Sequence, residues 1–328
     1  DPMYEMEATH TATYDGAACI LDITCFIRKT YVVLHFFSGR RRGGDIQHQI
    51  EWCNVSESYT VLVLSIDVAV DADLCDLTRD PIVCFWREQA KSGRVIGTIK
   101  GPPCETWSAA RFLSVQDKPN SPVPLRSREI PWGLPGLKRR HYCQLELANR
   151  LLMVALSFVL DMVRFGGFAL LEHPGEPHWV IRGPSIWRLP FTKWIIGAPC
   201  ASLINFKQGL HGQISAKPTG LLTIRLPTLR QHIRKPQCAF ETAESRVLGG
   251  WDSVNGVWHT NKAKEYPPSM CRAIAMSVIE AIDKRIAESP EAVPWVDDCP
   301  DLKKFYSSAD PYTEEGTIGA DCMLFTDR

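Results

Sequence analysis

The stretch Phe165-Gly166-Gly167-Phe168-Ala169-Leu170-Leu171-Glu172 decides the fold class, read with the apolar positions Leu147, Leu151, Leu152, Ala155, Leu156, Val159 and Val163 before it. Those positions recur at three- and four-residue steps, which predicts a helix over 145–163. Two glycines then interrupt the helix, and a short apolar run ending at an acid predicts a buried strand over 168–171. Working outward, similar runs occur at Val95-Ile96-Gly97-Thr98-Ile99, at 59–67 and at 31–37, and an extra strand is expected over 18–27. Apolar strands alternating with helical stretches indicate an α/β fold with a mostly parallel central sheet. Ligands of such sheets sit beyond the carboxyl ends of the strands. Ser38, Asp67, Cys104 and Glu172 all fall at or just after such ends.

The chain has 328 residues, 45% hydrophobic and 23% charged, and its 37 basic residues balance 37 acidic ones. This is the composition of a globular protein of one large or two small domains, and it excludes collagen, coiled coil and wholesale disorder. Zero net charge argues at first against a nucleic-acid partner. The charge is divided, however. Residues 280–328 hold twelve acidic and five basic residues, net −7, which leaves +7 on residues 1–279. Twelve scattered cysteines include no C-x-x-C pair, so neither a zinc site nor a thioredoxin-like motif is expected, and reduced thiols fit a nuclear or cytosolic protein. Asp1, Glu5 and Glu7 do not suit a signal peptide. Asp161, Arg164, Gly166 and Gly167 interrupt the longest apolar stretch, so no membrane span is expected.

Taken singly, each motif has an ordinary explanation. Phe37-Ser38-Gly39-Arg40-Arg41-Arg42-Gly43-Gly44 suits either close approach of a ligand or a tight strand-to-helix turn. Asp67 suits ribose hydroxyls or is a solvated acid, and Asp76 has the same two readings. In Gly101-Pro102-Pro103-Cys104-Glu105 two prolines fix the backbone before a cysteine, which suits a positioned nucleophile, although most cysteines are small buried hydrophobes. Glu172-His173-Pro174 offers a general acid or a surface turn. The Pro- and Ser-rich stretch 112–136 reads as a long loop, the kind that often binds or covers a ligand.

Order adds what the single motifs lack. The Ser-Gly turn, strand-end acid, Asp76-Leu77, Pro-Pro-Cys and strand-end Glu follow one another over about 135 residues, and Tyr266-Pro267-Pro268-Ser269-Met270-Cys271 closes the series. In this order the chain resembles the cytosine-C5 DNA methyltransferase family over roughly residues 31–285. The resemblance implies a Rossmann-like fold dependent on S-adenosylmethionine, with no metal. It implies a Cys104 thiolate that adds to cytosine C6, Glu172 on the N3/N4 edge of a base flipped from its strand, and Lys217 near that base. Phe37, Ser38, Gly39, Asp67, Asp76, Pro102 and Ser269 would hold the cofactor. Ser108 in the catalytic loop, with Arg111, Arg126 and Arg128 in the basic stretch 105–140, would meet nucleic acid. Arg230, Arg234 and Lys235 would do so from a short target-recognition region over about 220–262.

The implied organisation is an N-terminal extension (1–30), one methyltransferase domain (31–285) and an acidic tail (286–328). The partner is expected to be DNA rather than RNA, and the location nuclear in a eukaryote or otherwise cytoplasmic. Three departures stand out: three arginines inside the glycine turn, His173 where the family has asparagine, and only a trace of Gln-x-Arg-x-Arg around Gln213 and Lys217. The same order allows two rivals, a tRNA-methylating relative and a catalytically weak DNA-binding or regulatory one.

Overall fold

The computed structural model describes residues 29–112, 122–234, 251–252, 257–258 and 263–288. In chain order the elements are β1 (Lys29–Phe36), α1 (Ile46–Cys53), β2 (Tyr59–Ile66), α2 (Asp80–Lys91), β3 (Val95–Lys100), α3 (Arg139–Phe165) and β4 (Phe168–Pro174). They continue with α4 (Pro190–Ile196), β5 (Ala201–Lys207), β6 (Pro218–Ile224), α5 (Leu229–Arg234), the short pair β7 (Trp251–Asp252) and β8 (Val257–Trp258), and α6 (Pro268–Glu288). The extra strand expected over 18–27, Lys235 and everything after Glu288 lie outside the described residues.

One six-stranded sheet has the order β2-β1-β3-β4-β6-β5. Strands β2, β1, β3 and β4 pair in parallel, while β6 runs antiparallel to both β4 and β5. Five of the six strands therefore point the same way, as the apolar runs led one to expect. Successive residues of a strand face opposite sides, so β1 feeds two cores. Val32, Leu34 and Phe36 join Leu152, Leu156 and Val159 of α3, while Val33 joins Ile50 of α1 and Ile274 and Val278 of α6. Helices thus cover both faces, which is why the central strands are apolar throughout.

The structure shifts three expected boundaries. The helix predicted over 145–163 extends at both ends, and Gly166 at φ +79° supplies its left-handed C-cap, a conformation with little cost only for glycine. Strand β4 continues to Pro174 because Glu172 and His173 pair with Leu221 and Gly220 of β6. Glu172 therefore lies within a strand, not at its end. Residues 220–224 belong to this central sheet and not to an insert. The β5–β6 pair escaped the sequence reading because its register comes from pairing across ten intervening residues, with no two-residue turn to announce it.

Candidate active site

From β1 the chain passes to β2 on one side and then crosses back to β3 on the other, and a crevice opens at such a divergence. Here it is a cleft of about 1520 Å³. Phe37, Ser38 and Gly39 enter from the end of β1, Asp67 from β2, Pro102 and Cys104 from β3, and Glu172 and His173 from β4. Because β6 is antiparallel, its beginning lies beside the end of β4, and this brings Lys217 to the same place. Asp76, Ser108, Arg111 and Tyr266 also line the cleft.

Glu172 is the most heavily coordinated group there. Its Oε1 accepts from Gln208 Nε2 at 3.1 Å and lies 3.7 Å from Lys217 Nζ, and its Oε2 accepts from Tyr266 Oη at 3.3 Å. Gln208 is fully buried and also donates to Thr219 Oγ1, so the amide cannot easily turn away. Burial and the Glu172 charge push the Tyr266 phenol well up, which keeps it a hydrogen-bond donor. Gly101 is required by this closeness: a Cβ there would lie 2.1 Å from Tyr266 Oη.

Burial, with the Glu172 charge beside it, pushes the Cys104 thiol up to about 12, and Lys217 opposes both. Cys104 is thus a thiol at neutral pH, and its reactivity depends on the two charges beside it. At fixed pH, Glu172→Gln is expected to speed alkylation of Cys104 by iodoacetamide, and Lys217→Met to slow it. Each unit of pKa corresponds to about tenfold in thiolate. Peptide mass spectrometry separates Cys104 from the exposed Cys84 and Cys143. Equal rates, or the reverse order, would contradict the assignment.

The end of the cleft at β1 and β2 is knitted by its own acids. Phe37 N–H donates to Ile66 O, Gly39 N–H donates to Asp67 Oδ2 at 2.9 Å, and Ala69 N–H donates to Asp67 Oδ1. Phe37 at φ +58° and Lys217 at φ +32° are non-glycine residues in a region that costs about 1–3 kcal/mol each, and both line the cleft. Asp76 Oδ1 accepts from the Thr78 hydroxyl and N–H, which hold its carboxyl below the usual range. Its Oδ2 has no hydrogen-bond partner among the described residues. Of the three inserted arginines, Arg41 pairs with Asp45, and Arg42 donates to Tyr266 O and pairs with Glu265, which leaves Arg40 on the cleft rim.

Several other expected residues are engaged within the protein. Arg126 is fully buried, with its guanidinium on Thr106 Oγ1, Asn149 Oδ1 and Pro131 O and 4.1 Å from the Trp107 ring. It braces the loop after Cys104 from within and is out of reach of a phosphate. Arg230 donates to Ser202 Oγ and Leu203 O at the start of β5, the edge of the sheet opposite Cys104, and Arg234 ends α5 away from the cleft wall. Ser269 Oγ is within 3.2 Å of His211 Nδ1 and does not line the cleft, so the closing motif delivers Tyr266 instead. Arg111 lines the cleft but is engaged by Glu105 O and Val123 O, Ser108 Oγ accepts from Ala110 N–H, and Arg128 is exposed.

Sequence reasoning missed Gln208 altogether and gave Tyr266 no role. It also left His173 open. This histidine is buried edge-on between Trp107 and Trp187, with ring centroids 6.1 and 6.3 Å away. Neither of its nitrogens has a hydrogen-bond partner among the described residues. Burial pulls its pKa down to about 3, with help from the Arg126 charge. No protein-family model matches the chain, and neither does any curated protein.

Proposed function

We propose that the protein transfers a methyl group from S-adenosylmethionine to C5 of a cytosine in nucleic acid, through a covalent Cys104 adduct on a Rossmann-like methyltransferase fold. One observation carries this reading: a thiol, and a carboxyl with three named partners, converge in a cleft that is also lined by the acids Asp67 and Asp76. At about 1520 Å³ the cleft exceeds the ~300–1000 Å³ that suits a single ligand, so it has room for two substrates together.

The residues at the β1 and β2 end fit the cofactor. Asp76 Oδ2 is a free acceptor for an adenine amino group, Asp67 faces the cleft for ribose hydroxyls, and Phe37, Ile66 and Pro102 form apolar walls. When bound, S-adenosylmethionine supplies an electrophilic methyl. The chain does the rest. Cytosine C5 is a poor nucleophile until a group adds at C6. As Cys104 Sγ forms its bond to C6, the thiol proton passes to the Glu172 carboxylate and Glu172 delivers a proton to N3, so charge does not build up on the ring. Gln208 and Tyr266 hold the carboxyl in place for this. Once C5 carries the methyl, its proton leaves to water, the Sγ–C6 bond breaks, and the N3 proton returns through Glu172 to the departing sulfur.

The test is an oligonucleotide containing 5-fluorocytosine. Fluorine at C5 cannot leave as a proton, so the protein with S-adenosylmethionine is expected to form a stable adduct at Cys104, detectable as a mass shift and absent in Cys104→Ser. A DNA and a tRNA version separate the two substrates. A second reading, a catalytically silent binding module, draws on the thiol pushed up to about 12. It predicts cofactor binding by calorimetry with no adduct on either polymer.

A further inference from the structure

The cleft does not stop at Glu172. Its wall continues through Gly175, Glu176, Pro177 and His178 to Trp179, whose indole is 56% exposed and makes no ring contact among the described residues. Arg128 N–H donates to Arg182 O at 2.9 Å, which ties the segment after residue 122 to the segment carrying Trp179. Two exposed arginines, Arg128 and Arg182, are thereby brought together on the segment that carries exposed Trp179 and Ile181. Neither guanidinium has a hydrogen-bond or ion-pair partner among the described residues, and the exposed Glu129 between them feels both charges. Glu176, the other acid nearby, is already paired with Arg188. The strip is therefore an aromatic face flanked by available cations at the mouth of the cleft.

We propose that this strip is a platform for single-stranded nucleic acid: the base next to the target cytosine stacks on Trp179, and its flanking phosphates lie on Arg128 and Arg182. The proposal rests on the cytosine-methylating reading of the cleft and names its substrate class, an unpaired strand in preference to an intact duplex. The physical argument is access. An indole can stack only on a base whose face is free, and aromatic faces with basic neighbours bind single strands with little regard to sequence. A duplex reader would instead present polar side chains to a groove. Arg230, expected in that role, instead donates to Ser202 and Leu203, and nearby Arg225 to the Met162, Val163 and Gly167 carbonyls.

The experiment measures fluorescence anisotropy of a cytosine-containing oligonucleotide, as a single strand and as a duplex, over a range of salt concentrations. The wild-type protein is compared with Trp179→Ala, Trp179→Phe and the double variant Arg128→Gln/Arg182→Gln. Wild type is expected to bind the single strand more tightly than the duplex. Trp179→Ala should weaken single-strand binding roughly 5- to 100-fold, and Trp179→Phe should restore most of it. The double variant should lower the slope of log affinity against log salt by about 1.4, the value for two phosphate contacts on a single strand. All variants should bind S-adenosylhomocysteine like wild type by calorimetry, which shows that they fold. Unchanged single-strand binding by Trp179→Ala, or tighter wild-type binding to duplex, would overturn the platform. Failure of the transfer reading looks different: strand binding through Trp179 persists while the 5-fluorocytosine adduct at Cys104 never forms.

Discussion

Glu172→Gln is expected to slow the proposed methyl transfer by about 10²- to 10⁴-fold, the range for losing a positioned acid–base group, with little loss of thermal stability. The small structural effect follows from the site. Glutamine has the same shape, keeps an acceptor for either Gln208 Nε2 or Tyr266 Oη, and removes a buried charge in a strand whose ladder to β6 is untouched. What it cannot do is pass a proton between Cys104 and N3. Cys104→Ser should go further and abolish transfer, because an alkoxide is far harder to form than a thiolate in this buried position. Single-turnover transfer of a labelled methyl group at saturating cofactor measures both. A Glu172→Gln rate within tenfold of wild type would remove Glu172 from the proton path. The same variant should raise Cys104 alkylation while keeping the wild-type melting temperature; mere disordering of the cleft would also expose the thiol but would lower the melting temperature.

Stability is expected to fall steeply as pH drops from about 6.5 toward 4. His35 and His173 are buried, and burial lowers their pKa values to about 4 and about 3. In the unfolded chain each titrates near 6.5, so between these values the unfolded state binds more protons and folding loses free energy as pH falls. Each histidine contributes up to about 1.4 kcal/mol per pH unit, so the two together approach ~3 kcal/mol per unit. Against an ordinary domain stability of ~5–15 kcal/mol that is a large fraction. Asp45 and Asp76, whose carboxyls are held below the usual range, contribute in a lower window, under about pH 4. Urea unfolding midpoints at pH 7, 6 and 5 test this, with His173→Asn as the control. Asparagine does not titrate, so the variant should lose about half of the pH 6 to pH 5 slope. An equal slope would mean that His173 is hydrated in solution.

How much of this was legible in the sequence depends on the range over which each fact is encoded. Strand and helix identity is local, and so Val95–Ile99, the apolar spacing before Gly166 and the run ending at Glu172 predicted a mostly parallel α/β sheet. The same local logic placed Ser38, Asp67, Cys104 and Glu172 at one end of that sheet, since parallel strands all finish on the same side. The partners of Glu172 lie outside that logic. Gln208 and Lys217 reach it only because β6 is antiparallel, and Tyr266 arrives from 94 residues downstream. Charge was the most misleading local signal. Arg126 and Arg230 were read as basic contacts for nucleic acid, yet their guanidiniums satisfy hydroxyl, amide and carbonyl oxygens of the protein itself. A guanidinium's five donors serve an internal oxygen as well as a phosphate, and which they meet is set by packing. The sequence by itself determined the four parallel strands β1 to β4, their common direction and the end at which the chemistry-bearing side chains gather. Only the tertiary structure decided which side chains support the carboxyl, which arginines remain free for a ligand, and that Trp179 stands at the mouth of the cleft, because each depends on contacts between segments far apart in the chain.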